Sequence, residues 1–161
     1  MIDARIKTIL QRASSLLLLL FLLCSCENTL FHSFSSVGGE WQRSSVVEFA
    51  YGNRYNSYSV CGLQIEARTD ASYRYKNIVV RAEYFNKSDS LLHCDTIPVL
   101  VYNDEGHRIG ATVGVLYQQE SNVILPNISF NETVHIRLNH IMPDESLKGV
   151  HDIGIKLIDI N

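Results

Sequence analysis

From Ser44 onward, apolar and polar side chains alternate with a period of two, the pattern of a half-buried strand. In 59–68 the residues Cys61, Leu63, Ile65 and Ala67 share one face, and Gln64, Glu66 and Arg68 the other. The stretch 76–85 repeats this with Ile78, Val80, Ala82 and Tyr84 opposite Asn77, Arg81 and Glu83. In 133–139 Val134, Ile136 and Leu138 oppose His135, Arg137 and Asn139, and in 151–159 Ile153, Ile155 and Leu157 oppose Asp152 and Lys156. Weaker alternations lie at 45–51, 91–102 and 113–118. Turn formers separate these runs: Gly52-Asn53, Asn86-Lys87-Ser88-Asp89, Asn103-Asp104-Glu105-Gly106, Pro126-Asn127 and Pro143-Asp144. Short strands, frequent turns and no amphipathic helix of useful length predict an all-β fold, an antiparallel β-sandwich of immunoglobulin-like or jelly-roll-like kind. One helical turn is expected around Pro143 to Lys148.

The first 25 residues break the pattern. Arg5, Lys7 and Arg12 precede an unbroken apolar run, Leu16 to Leu23, which ends at Cys24-Ser25-Cys26. This is the layout of a cleaved secretory signal peptide. The register Leu23-Cys24-Ser25-Cys26 fits a bacterial lipobox, with Cys26 as the lipid attachment site. Cys24 would put bulky Leu22 and Leu23 into the small-residue sites of the peptidase. An uncleaved anchor helix, or secretion with Cys26 unmodified, are the competing readings. Acyl chains contribute about 0.8 kcal/mol per buried methylene, so two or more hold a soluble domain at a membrane. The chain then divides into a signal peptide (1–25), a tether (26–39) and a sandwich domain (40–161). The tether carries Ser33, Ser35, Ser36 and Gly38-Gly39, and a flexible chain of that length reaches on the order of 20 Å. Phe31, Phe34 and Trp41 are unusual in a tether and read as packing back onto the domain or as contacts for a partner.

Charge narrows the partners. The chain carries 14 basic and 17 acidic residues, and removing Arg5, Lys7, Arg12 and Asp3 with the leader leaves 11 and 16 over 136 residues. A net −5 excludes a basic nucleic-acid binder.

Candidate chemistry is sparse. The sequence holds no nucleophile elbow, phosphate-binding glycine loop or paired zinc cysteines, so neither catalysis, a metal nor a cofactor is expected. The six histidines read as scattered and solvated. His135 and His140 do not share a strand face well enough to hold a metal, and His93-Cys94-Asp95 alternates faces. Cys61 and Cys94 form either a disulfide, closing a loop of about 34 residues, or two separate thiols, the reading that strand parity favours. The segment 51–58, with Tyr51, Arg54, Tyr55 and Tyr58, reads as a polar hairpin loop, a partner-protein contact or a glycan platform. Asp89-Ser90-Leu91 and Asp95-Thr96-Ile97 resemble a short O-glycosylation signal, with Ser90 and Thr96 as acceptors.

The order of landmarks carries a resemblance: lipobox, Phe-rich tether, Gly39-Glu40-Trp41, Ser45-Val46-Val47-Glu48-Phe49, Asp95-Thr96-Ile97, and Asn103-Asp104-Glu105-Gly106 before Gly110. Phe130, Val134-His135-Ile136, His140-Ile141-Met142 and the ending 147–156 follow. The mature chain resembles the gliding-motility lipoprotein GldH family of Bacteroidetes. It departs from that family's pattern at the turn His107-Arg108-Ile109 and at Met142-Pro143. The resemblance implies an outer-membrane lipoprotein, on the periplasmic face or the surface, serving as an accessory or scaffold of the gliding and type IX secretion machinery. Its partners would be the membrane and other envelope motility or secretion lipoproteins. A surface glycan-binding lipoprotein is the alternative reading.

Overall fold

Each clean alternation forms a strand in the computed structural model, which describes residues 28–52, 60–130 and 132–160. The strands are β1 (Thr29–Ser36), β2 (Glu40–Gln42), β3 (Val47–Tyr51), β4 (Cys61–Thr69), β5 (Asn77–Phe85), β6 (Leu91–Leu100), β7 (Ala111–Val113), β8 (Leu116–Glu120), β9 (Val134–His140), β10 (Ser146–Lys148) and β11 (Val150–Asp159). Among the described residues there is no helix. One sheet has the order β1-β11-β4-β8-β7, a second β3-β9-β5-β6, and a two-stranded ribbon pairs β10 with β2.

Setting aside the short strands β2, β7 and β10, the pairing is nested. β1 pairs with β11, β3 with β9, β4 with β8 and β5 with β6, all antiparallel. First meets last, second meets next to last, and so on to an adjacent middle pair. That is a long hairpin rolled into two facing sheets, the wrapping of a jelly roll, and it decides between the two sandwich types that the pattern left open.

The inward faces of both sheets make the core. Leu63, Ile65, Ala67, Ile153, Ile155 and Leu157 from one sheet meet Ile78, Val80, Ala82, Tyr84, Ile136 and Leu138 from the other, all of them fully buried. Each large apolar side chain buried this way contributes roughly 1.5–3 kcal/mol. Pro98 lies in β6, an edge strand, where its missing N–H interrupts no ladder.

Two expectations are corrected. The tether of 26–39 is mostly strand, since Thr29–Ser36 is β1, registered along β11 from Ile158 to Asp152. Its serines argue for flexibility, but the backbone finds the open edge of β11, and alternation puts Phe31 inward against Tyr51, with ring centroids 5.9 Å apart. Phe34 faces outward and lies across Gly154. A Cβ on Gly154 would come within 2.6 Å of that ring. The helical turn expected at 143–148 is also absent. Bends at Pro143 to Glu145 lead into β10, and Leu147 pairs with Trp41 of β2. Gly38 and Gly39, at φ 75° and 84°, let the chain leave β1 and turn into that ribbon.

Candidate functional site

The residues singled out in the sequence do not converge. Tyr51 is buried between Phe31 and Phe130, with ring centroids at 5.9 and 6.1 Å, so it is core and not a platform. Arg54, Tyr55, Tyr58 and Cys26 lie outside the described residues. Cys61 points into the core of one sheet, where burial pushes its thiol pKa up. Cys94 faces outward from the other sheet and accepts a hydrogen bond from Arg81 Nε at 3.4 Å. No bond joins the two. The physical reason is parity, because side chains on opposite faces of different sheets cannot approach to disulfide distance.

Ser90 is exposed in the β5–β6 turn, its N–H donating to Asn86 Oδ1 at 3.0 Å. Thr96 is exposed on the outer face of β6. The preceding acid of the Ser90 motif is engaged: Asp89 adopts φ 58° and pairs with Arg137 at 2.8 Å. Arg137 also bonds Glu48, whose carboxyl is held below its ordinary range by that arginine first and His135 second.

His140 is not solvated. It is fully buried, its Nε2 lies 3.1 Å from the Trp41 carbonyl, and its ring meets the indole edge-on at 5.2 Å. Desolvation lowers its pKa, so it sits neutral in the fold. Nor is Arg108 a bland surface turn. Its guanidinium lies between the Tyr102 and Tyr117 rings at 4.7 Å from each and donates to Thr69 Oγ1 at 2.7 Å.

What the fold does bring together is a charged rim at the end away from Asn28. A hollow of about 380 Å³ is lined by Glu40, Ser72, Arg74, Tyr75, Asp144, Ser146 and Lys148. A second, of about 340 Å³, shares Arg74 and continues past Lys76, Tyr102 and Asp104. The Tyr75 hydroxyl donates to Asp144 and the Ser146 hydroxyl to Glu40. Lys76 pairs with Asp104. The rim thus offers alternating cations, carboxylates and a phenol along an open trough, a surface suited to hydrogen-bonded recognition.

Beneath it, Asp70 ties the 70–72 turn to the start of β11. Its Oδ1 accepts from the Ser72 N–H at 2.7 Å and hydroxyl at 2.6 Å, and its Oδ2 lies 2.8 Å from His151 Nε2. The Ser72 hydroxyl chiefly, then His151, holds the Asp70 carboxyl down to about 2. The order is serine, carboxylate, imidazole. General-base activation of a serine needs the imidazole next to the hydroxyl, and here the carboxylate stands between them.

A depressed carboxyl pKa stabilises the fold above the unfolded value and loses that contribution as pH falls through the folded one. For Asp70 the window runs from 3.8 down to about 2. One unit is about 1.4 kcal/mol at full strength, and solvent screening brings the contribution to about 1 kcal/mol. Urea midpoints measured from about pH 6 to about pH 2.5 should fall more steeply for the wild type than for Asp70→Asn. Equal slopes would remove the claim.

The outer face of the five-stranded sheet holds one more polar group that the alternation misread. Glu66, expected to be solvated, is 1% exposed. Its Oε2 lies 2.7 Å from His32 Nε2, on the β1 residue two before Phe34. Arg68 stacks 3.8 Å over the Phe34 ring and reaches Asp152 at 3.7 Å. Sequence reasoning missed His32, Glu66, Asp70 and His151 because their partners lie 34 and 81 positions apart. The one local signal was Gly154 in the middle of a strand, a mark of close approach.

These features define a class: a small jelly-roll domain with a charged, polar rim at one end. The profile of the family described as GldH lipoprotein matches residues 29–157, and the chain belongs to that family of envelope lipoproteins. No curated protein matches the chain. Among solved structures, the infectious bursal disease virus VP2 subviral particle is similar at 9% identity and TM-score 0.36, over 84% of this chain and 34% of that one. Dimeric latent PorU from Porphyromonas gingivalis matches at 11% identity and TM-score 0.31, over 84% and 14%. The Yersinia pseudotuberculosis-derived mitogen matches at 4% identity and TM-score 0.30, over 81% and 89%. The chain therefore spans well under half of the first two proteins, and likenesses at this level say nothing of what it binds.

Proposed function

We propose that the protein is a lipid-anchored accessory of the gliding-motility and associated secretion machinery, acting by binding and not by catalysis. The family match over the whole sandwich carries this reading. The charged rim around Arg74, Tyr75, Asp144 and Lys148 is its contact surface. The serine–carboxylate–imidazole order at Asp70 supports a structural role for the groups that most resemble a catalytic set. The anchor is diacylglycerol on Cys26, in the outer membrane.

Crosslinking in cells followed by affinity purification of the tagged, acylated protein tests it. Gliding or secretion components should be recovered with the wild type and lost with Arg74→Glu combined with Lys148→Glu. Recovery of none with the wild type would sink the proposal. Cys26→Ala should leave an unprocessed or soluble protein that takes up no labelled palmitate, and uptake by that variant would refute Cys26 as the attachment site.

A further inference from the structure

A group of exposed apolar side chains lies at the end of the body where Asn28 stands. Asn28 is the first described residue, and its carbonyl accepts from the Asp159 N–H at 2.8 Å. Next to Asp159, the Ile160 N–H donates to the Val60 carbonyl at 3.0 Å. Val123 and Ile160 close over Gly62, where a Cβ would meet them at 2.6 and 2.7 Å. Val60, Val123 and Ile160 are each about half exposed, and Leu125 is 60% exposed. On the other sheet, Leu91 and Leu92 emerge at the same end, as the nested register of β5, β6 and β9 requires.

Charge is distributed the opposite way. The 121–133 connection at this end runs through Val123, Ile124, Leu125 and Pro126 with Glu132 its one charged residue, and the β5–β6 turn adds Lys87 and Asp89, the latter paired with Arg137. At the far end the connections 70–76, 101–110 and 141–149 carry three charged residues each, counting Asp, Glu, Lys and Arg. Exposed apolar side chains occur at both ends, Val115 and Ile141 among those at the far one, but only at the Asn28 end do they stand among few charges, which suits a boundary between lipid and water.

Chain length supplies the occupant. With β1 beginning at Thr29, only Glu27 separates Cys26 from Asn28. Two Cα–Cα steps reach at most about 7 Å. A diacylated cysteine sits at the boundary between headgroups and acyl chains, so the Asn28 end is held against that boundary with no slack.

We propose that the apolar end formed by Val60, Val123, Leu125 and Ile160 rests in the bilayer surface, so that the lipid and the protein body bind the membrane together and the strands stand away from it. The inference rests on acylation of Cys26. It follows that the charged rim is carried one strand length outward, about 30 Å for a strand the length of β11. The 53–59 segment, which connects Gly52 to Val60, is flanked by residues of the membrane-facing end and not by the rim.

The test uses the full, acylated protein in vesicles of phosphatidylethanolamine and phosphatidylglycerol doped with brominated phosphatidylcholine. The native protein has one tryptophan, Trp41, which is fully buried and whose emission contact quenching leaves unchanged. Leu125→Trp adds a probe at the apolar end. Val115→Trp adds one at the β7–β8 turn, where the valine is 87% exposed at the far end. Brominated lipid should remove most of the added emission of Leu125→Trp and leave that of Val115→Trp intact. Ile160→Trp should behave as Leu125→Trp does, so that one misfolded variant cannot decide the matter. Mass spectrometry of the N-terminal peptide is run on the same samples. Acylated Cys26 with Leu125→Trp and Ile160→Trp both unquenched overturns the orientation while the anchor stands. Quenching of Val115→Trp overturns it as well, since the body would then lie on its side. Unacylated Cys26 overturns the anchor and this inference with it.

Discussion

Trp41→Ala is expected to destabilise the domain by about 3–5 kcal/mol, the usual cost of deleting a fully buried aromatic. Trp41 stands on β2, a strand of three residues, and is fully buried beside Leu147. Its Nε1 donates to the Ser45 carbonyl at 3.0 Å, and its own carbonyl lies 3.1 Å from His140 Nε2. Removing the indole leaves a void and an unsatisfied Ser45 carbonyl, and strips the ring that packs on His140. A domain of this size has a total stability of about 5–15 kcal/mol, so much of it would go. Urea unfolding followed by far-ultraviolet circular dichroism measures it, with Trp41→Phe as the intermediate case that keeps the ring and loses the N–H. A loss below about 1 kcal/mol would mean that the β2–β10 ribbon unfolds apart from the two sheets.

The second large effect is expected from Gly149→Ala, the smallest side-chain addition available. Gly149 has φ 84°, a conformation that costs an L-residue about 1–2 kcal/mol. Its surroundings add to that. A Cβ would stand 2.6 Å from the Tyr73 nitrogen, 2.7 Å from Ser72 Oγ and 2.8 Å from Asp70 Oδ1. The backbone cannot retreat, since Gly149 donates to the Gly39 carbonyl and accepts from the Asp70 N–H, at 2.8 and 2.9 Å. The 70–73 turn must therefore move, taking with it the hydrogen bonds of Asp70 and the wall of the rim that holds Ser72 and Arg74. The right comparison is Gly106→Ala. Gly106 has φ 80° with nothing within 4 Å of its added Cβ, so it reports the backbone cost alone. Gly149→Ala should lose clearly more stability and should weaken partner recovery while leaving membrane attachment intact. Equal losses for the two variants would show that the close approach at Gly149 relaxes at no cost.

Much of the fold was legible because strand alternation is a local property. Leu63 and Ile65, Ile78 and Val80, or Ile153 and Ile155 announce a buried face whatever lies opposite. The parity that set Cys94 against Ile97 and Val99 likewise argued against a disulfide without reference to coordinates. The failures share one cause. Thr29–Ser36 is rich in serine and followed by two glycines, a composition that looks like a linker until β11 offers an edge to pair with. Ser146–Lys148 sits behind a proline and two acids, and it becomes a strand only because β2 is alongside. Glu66 lies on a polar face by count, yet it is buried and bonded by His32, 34 positions away on β1. The residues lining the rim come from four separate stretches, and nothing in any one of them marks it as a shared wall.

The amino-acid sequence by itself determined that this chain has an all-β body, and it supplies the pattern from which a lipobox leader is expected, since each is written in neighbouring residues. Tertiary structure alone decided which sandwich it is, where the first strand begins, which carboxylates are buried and which residues gather at each end of the body. Those depend on hydrogen bonds between backbones that are distant in the chain, and the free energy of such pairings belongs to no single segment.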